Sequence, residues 1–278
     1  VHRQPTRSSL LKWLRKGYWK LSVLPFLLLI AIPVLALFLR LDRSQFLTQL
    51  HMQQVQQAIS LSMLTTFTTA LVTLLIGTPT AYYLSHRHYR FHRLVDTLVD
   101  LPTILPPAVA GVALLMAFGR RGIAGAWLAS LGITLPFTPA AVIIAQTFIA
   151  APLYIKSAAQ GFASVDSELR KSAALDGASR WQTFRFIMLP MAWPSIINGL
   201  VMTWSRALGE FGATIIFAGN FPGRTQTMPL AIYIGFELDL NVALTLALVL
   251  VCLSFATLLL IKGILNRDTA PDRSEIID

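Results

Sequence analysis

The stretch Asp166-Ser-Glu-Leu-Arg-Lys-Ser-Ala-Ala-Leu-Asp-Gly-Ala-Ser-Arg-Trp-Gln-Thr-Phe-Arg-Phe-Ile-Met-Leu-Pro190 reads as two short helices joined through a glycine. Asp166 is a good N-cap, and Ser167 to Leu175 has helix-forming composition. Gly177 supplies the left-handed residue that ends the helix. Ser179 and Gln182 then stand at capping-box spacing, which starts a second helix expected to break near Leu189-Pro190. The small side chains of Ser172, Ala173 and Ala174 give the first helix a patch on which another protein can pack closely.

This polar elbow, assigned to 156–190, lies in an otherwise apolar chain. Of 278 residues, 55% are hydrophobic and 13% charged, and mean hydropathy is +0.62. Soluble chains carry about 25% charged residues, so a cytosolic enzyme, a disordered chain and a nucleic-acid binder are excluded despite a net charge of +10. One cysteine, Cys252, excludes an internal disulfide and a multi-cysteine zinc site; it reads as a small core residue of the last span.

A helix crosses the hydrocarbon with about 20 mostly apolar residues. Six such spans are expected, at Leu21–Leu39, within Ala58–Ser85, within Leu101–Gly119, and at Phe137–Ile155, Met191–Gly219 and Leu240–Ile261. The first run is too long for a cleavable signal segment and reads as an anchor. The fold class is an all-α polytopic membrane protein. A basic tail (1–20) precedes a single transmembrane domain (21–265), and a second tail (266–278) follows. Both tails, Val1–Ser9 and Asp268–Asp278, read as disordered, and Ser44–Gln57 as a segment along the outer interface.

Basic residues concentrate in alternate loops. They include Arg3, Arg7 and Lys12 before the first span, Arg87, Arg90 and Arg93 after the second, and Lys156, Arg170, Lys171, Arg180 and Arg185 after the fourth. That bias places both termini and the elbow in the cytoplasm, beside anionic lipid headgroups.

Arg206 and Glu210 are four residues apart within the fifth apolar stretch. Such charges face the protein interior and pair, and they mark either an anion path or a structural lock. Their order is the weaker one for an i,i+4 pair, so further partners are expected. Gly209 and Gly212 allow close backbone approach around Glu210, and Pro102, Pro106 and Pro107 bend the third span. Asn220, Arg224, Thr225, Gln226 and Thr227 form a polar outer loop, which receives an anion or a delivering protein, or is a solvated turn. His86, His88 and His92 lie in a basic loop without acids or thiols, and a metal site is not assigned.

Aligned on Gly177, the elbow resembles the EAA signature of ABC importer permeases: Glu-Ala-Ala, three residues, Gly, nine residues, Ile-x-Leu-Pro. Ile187, Leu189 and Pro190 keep the spacing, whereas Lys171 and Ser172 replace the signature Glu and first Ala; Glu168 lies one turn earlier. Two further segments are similar to molybdate-type oxyanion permeases. One runs Arg206-Ala-Leu-Gly-Glu-Phe-Gly-Ala-Thr214 and continues through Phe217 to Pro229; the other is Asp100-Leu-Pro-Thr-Ile-Leu-Pro-Pro107.

The resemblance implies a permease subunit in the cytoplasmic (inner) membrane of a bacterium or archaeon. It would pair with a second copy and receive an oxyanion from an extracytoplasmic binding protein. Molybdate is the preferred cargo, with tungstate and sulfate as alternatives. It also implies that Glu168, Lys171, Ser172, Ala173, Ala174, Asp176, Gly177 and Pro190 meet a separate ATPase that uses ATP and Mg. The path or gate would involve Pro102, Pro106, Pro107, Arg206, Gly209, Glu210 and Thr214, and the outer contact Asn220, Arg224 and Gln226. The first span would be an addition to a five-helix core.

The chain has no GxxxxGK[ST] loop and binds no cofactor of its own on this reading. An ion-coupled carrier using Arg206 and Glu210 would have no use for the elbow. An intramembrane enzyme lacks its motifs: there is no HExxH, and Asp96 and Asp100 lie at a span end.

Overall fold

The computed structural model describes residues 7–40, 42–86 and 90–268, and the described residues are helical with no strand. The tails 1–6 and 269–278, and with them most of the expected disorder, fall outside the described residues, as does His88.

The centre is built from three long helices: α3 (Gln53–Ser85), α7 (Pro139–Ala163) and α10 (Leu189–Leu208). In lipid there is no hydrophobic drive between helices, so association depends on close packing and interhelical hydrogen bonds. The sequence provides both. On α10 the buried face is Ala192, Ile196, Gly199, Thr203 and Ala207, at helical spacing. A Cβ on Gly199 would stand 2.9 Å from Cβ of Ser157, and one on Gly161 would stand 2.5 Å from Cβ of Ser195. The two backbones therefore meet through reciprocal glycine–serine contacts, and the Ser157 hydroxyl donates to the Ser195 carbonyl at 2.7 Å. Tyr154, fully buried, fills the space against Gly77 of α3.

A polar seam runs through this core. Ser62, Thr65, Thr66, Thr69 and Thr73 share the buried face of α3. Thr69 donates to Oε1 of Gln146 at 3.0 Å, and Nε2 of Gln146 donates to the Ala207 carbonyl at 3.1 Å. The Thr203 hydroxyl reaches the Ala150 carbonyl at 3.1 Å. One glutamine thus ties all three helices.

Among the described residues, five helices are long and apolar enough to cross a membrane, or six with one bent pair. The straight candidates include Val23–Arg40 of α1 (Arg7–Arg40), α3, α7 and Leu240–Leu259 of α13 (Leu240–Asp268). The fifth is Arg180–Leu208, which includes α10.

The expected third span is not a single helix. It is α4 (His92–Ile104) and α5 (Pro107–Phe118), meeting at 117°. The residue before a proline is driven out of the helical region. Leu105 precedes Pro106 and Pro106 precedes Pro107, so two consecutive residues are extended, at ψ 133° and 135°.

The expected Met191–Gly219 span also divides. It ends at Leu208, and a short α11 (Gly212–Phe217) follows a break at Gly209–Phe211. The fourth span runs past Ile155 to Ala163, so Lys156 belongs to α7 and not to the loop. An apolar helix α12 (Met228–Leu238), too short to span, packs on α13, whose Cys252 is exposed on the helix surface and not in the core as expected. Two more short helices, α2 (Arg43–Leu50) and α6 (Gly125–Ser130), lie in the connections. The apolar stretch Val23–Arg40 of α1 has no buried residue, and α1 rests on α13.

Gly199→Val forces its new Cβ against Ser157 and the Tyr154 backbone, 3.1 Å away. It is expected to destabilise the chain by about 2 kcal/mol, read as a lower melting temperature of the detergent-solubilised protein.

Candidate coupling elbow and membrane pathway

The elbow follows the local chemistry of its sequence. Helix α8 (Ser167–Leu175) is capped by Asp166, whose Oδ1 accepts from the Glu168 N–H at 2.9 Å. At its other end Gly177 has φ +82°. The Ala178 N–H reaches the Ala173 carbonyl at 2.9 Å and the Gly177 N–H reaches Ala174 at 3.2 Å, the paired bonds of a Schellman ending. Among the described residues nothing stands within 4 Å of a Cβ on Gly177, so backbone conformation and not space requires the glycine. The Ser179–Gln182 capping box is formed in both directions, at 3.2 and 2.7 Å, and opens α9 (Arg180–Thr183).

The chain does not break at Pro190. A π-helical turn, Phe184–Met188, joins α9 to α10, and the Leu189 N–H reaches back five residues to the Phe184 carbonyl. Pro190 falls in the first turn of α10, and the widened turn just before it takes up the irregularity that its missing donor and bulky ring would impose.

The expected docking patch needs one correction. Ala173 is buried against the protein, whereas Ser172, Ala174, Asp176 and Gly177 are exposed. The projecting apolar residue is Leu175, 88% exposed, which composition alone did not single out. Lys171, standing where the signature has glutamate, pairs with Glu168 at 2.8 Å on the exposed face. Asp176, Gly177, Ala178, Gln182, Thr183, Phe186 and Ile187 line an adjoining hollow of 340 Å³. The underside is anchored by Arg170, whose Nη1 donates to Nε2 of His86 at 3.3 Å. Arginine only donates, so Nδ1–H of His86 faces the Tyr82 carbonyl, 2.9 Å away. No group of metal ligands occurs among the described residues.

Deep in the chain, Arg206 Nη1 meets Glu210 Oε2 at 2.8 Å. Glu210 is 1% exposed, while the arginine side chain is 37% exposed. The second carboxylate oxygen accepts from the Ala213 N–H at 2.8 Å, so Glu210 also caps the start of α11. The weak sequence order of the pair is thus offset by a second partner.

Close backbone approach occurs at Gly212 and not at Gly209. A Cβ on Gly212 would lie 2.7 Å from Pro107, whereas Gly209 meets nothing nearer than 3.8 Å. Gly111 of α5 similarly abuts the Ala213 backbone. The two interrupted helices therefore meet at their interruptions, bringing Pro107 to Glu210's cap; Pro106 shapes the bend, whereas Pro102 lies inside α4 and does not break it. Thr214 is fully buried there, with a hydroxyl that has no partner among the described residues.

The loop after α11 is a solvated turn at residues 221–224 and turns inward after it. Thr225, Gln226 and Thr227 are buried. The Phe221 carbonyl accepts from the N–H groups of Arg224, Thr225 and Gln226, and the Thr225 hydroxyl accepts from the Phe221 N–H. Gln54 donates to Gln226 at 3.4 Å, and the Met228 N–H donates to Ser62 at 2.7 Å. Arg224 remains exposed and Asn220 half-buried.

Sequence reading missed the threonine seam and Gln146, although threonines three, four and seven residues apart in an apolar helix were the available signal. It also missed a cluster in which Lys156 of α7 meets Asp96 and Asp100 of α4, at 2.5 and 2.8 Å.

Residues 73–268 match the family described as binding-protein-dependent transport system inner membrane component. A probable transport system permease protein NifC of Clostridium pasteurianum is 39% identical over 92% of this chain and 89% of its own length. The molybdate/tungstate transport system permease protein WtpB of Thermococcus kodakarensis is 33% identical over 87% and 92%. The molybdenum transport system permease protein ModB of Escherichia coli K12 is 38% identical over 64% and 78%.

Among solved structures, a bacterial ABC transporter importing alginate superposes with a TM-score of 0.69 at 20% identity, covering 93% of this chain and 96% of that one. The methionine transporter MetNI gives 0.60, covering 78% and 96%. The chain belongs to the family of binding-protein-dependent transport system inner membrane components, the multi-pass permease subunits of ABC importers.

Proposed function

We propose that the chain is the permease of an ATP-driven importer for a tetrahedral oxyanion, with molybdate as cargo. The observation that carries the transport reading is the doubly capped elbow, an exposed rigid hook with Leu175 at its tip and a hollow beside it. The cargo rests on relatives named for molybdenum and for molybdate/tungstate, and on the arginine held at the break of α10. Tungstate and sulfate share the charge and shape of molybdate.

On this reading two copies surround the path, with both termini and the elbows in the cytoplasm. Each elbow seats on an ATPase subunit, which uses ATP and Mg. An external binding protein delivers the anion on the opposite side, where Arg224 and Asn220 are offered. Closure of the ATPases moves the elbows, and the interrupted helices are the part of the permease with the least continuous backbone to resist. Arg206 gives one Nη1 donor to Glu210, and a guanidinium has four more. Its partial exposure leaves the remaining donors of that positive group accessible to an anion.

Uptake of labelled molybdate by the reconstituted permease–ATPase complex, with its binding protein, tests the cargo. Molybdate uptake that resists excess sulfate is expected; strong inhibition moves the assignment to sulfate. Gly177→Leu places a side chain at φ +82° and costs about 1–2 kcal/mol locally. It is expected to abolish ATPase co-purification or ATP-driven uptake while the permease still folds, whereas an ion-coupled carrier would be indifferent.

Arg206→Ala leaves the buried Glu210 carboxylate without its cation, and about 3 kcal/mol of stability is expected to go with it. Adding Glu210→Gln removes the orphaned charge. The expected double variant recovers its melting temperature yet still takes up little anion; recovered uptake would assign the pair to structure alone.

A further inference from the structure

The cluster of Lys156 with Asp96 and Asp100 has no part in the function proposed above. The two carboxylates stand one helical turn apart on α4, and a single ammonium on α7 bonds both, at 2.5 and 2.8 Å. All three side chains are partly exposed, at 35%, 42% and 40%. Ion pairs of this exposure contribute about 0–1 kcal/mol each, which is weak for a permanent staple.

Yet little else seats α4. It contributes no buried residue, and besides the 2.9 Å contact of His92 Nε2 with the Leu84 carbonyl at its start it rests on the core through the half-buried Val95 and Val99. Its far end leads through the Leu105–Pro107 bend into α5, which packs on α11 beside Glu210. On the other side, Lys156 lies about 10 Å of helix from the end of α7, and α8 begins after the short connection Ser164–Asp166. The cluster therefore stands between the elbow and the helix break that holds Arg206.

We propose that Lys156, Asp96 and Asp100 form a two-seat latch through which movement of the elbow on α7 positions the bent pair α4/α5. Asp96 and Asp100 offer the ammonium alternative seats one turn apart, so α4 can slide along α7 by about 5 Å, the size of known one-turn shifts, without leaving Lys156 unpaired. Lys156 is a positioning residue and touches no anion. The latch rests on the permease reading, since it needs an ATPase to move the elbow.

The test uses the reconstituted complex with molybdate as probe. Asp96→Asn, Asp100→Asn and Lys156→Met are each expected to lower the molybdate carried per ATP hydrolysed by about fivefold, the lower range of coupling effects. ATP hydrolysis and the melting temperature stay close to those of the parent complex. A plain structural contact would instead lower the melting temperature and leave the ratio unchanged, and an unchanged ratio in all three variants overturns the latch.

A second measurement does not depend on these variants. Spin labels on the exposed positions Leu98 and Gln160, in a Cys252→Ser background, report the α4–α7 spacing. A shift of about 5 Å between ATP-free and ATP-trapped complexes is expected, and a constant distance overturns the proposal. Failure of the parent complex to take up molybdate would sink the cargo reading alone, because the label distance still decides the latch.

Discussion

Backbone polar groups inside a bilayer must find partners within the protein, and that constraint governs this structure. A continuous helix meets it automatically; an interrupted helix does not. Two apolar stretches here are interrupted, and at each the chain itself supplies what is missing. At Gly209–Phe211 a carboxylate closes the start of α11, taking the Ala213 N–H on one oxygen and Arg206 on the other. At Leu105–Pro107 the prolines have no N–H to satisfy, and the bend nests against Gly212. Each interruption fits against the other. A proline face fits a glycine, and the short helices behind them pack through Gly111 and Ala213.

The contrast with α3, α7 and α10 is physical. Those three helices are uninterrupted within the core, touch through glycine and serine, and are cross-tied by Gln146, Thr69 and Thr203. Buried hydrogen bonds of this kind contribute about 0.6 kcal/mol each on average in membranes, but tight small-residue contacts leave no slack for sliding. The interrupted elements lean on this frame with fewer buried side chains, and α4 has none. One chain therefore holds a stiff frame beside a hinged pair, as a transport subunit that must change shape in the membrane requires.

What could be read from the sequence was what depends on neighbours a few residues away. Asp166, Gly177, Ser179 and Gln182 specify their caps within one turn, and all four geometries are present. The Arg206–Glu210 pair is equally local. The misses involve distant partners or summed irregularities. No local signal says that Gln226 turns inward to Gln54, or that Lys156 leaves the loop to join Asp96 and Asp100. Prolines announced a bend at Pro106 but not its 117° extent, which needs two extended residues in succession. At Pro190 the same residue type predicted a break, and a π turn upstream absorbed it. Composition also favoured Ala173 as a docking surface, whereas the turn of α8 points it inward and Leu175 outward.

The elbow's charges follow from that same distinction between local and distant partners. A glutamate at position 171 would stand one turn from Glu168, on an exposed face, with the two carboxylates repelling each other. The lysine found there converts repulsion into a pair, with Nζ 2.8 Å from Glu168. The exchange stabilises α8 by only a few tenths of a kcal/mol, too little to matter for the fold of the chain. Its larger effect is on the surface offered to a partner: a neutralised rim in place of an acidic one, around a protruding leucine and a hollow. On the proposed permease reading, an ATPase groove that fits this elbow has less need of a cation opposite position 171, and more need of an apolar pocket for Leu175.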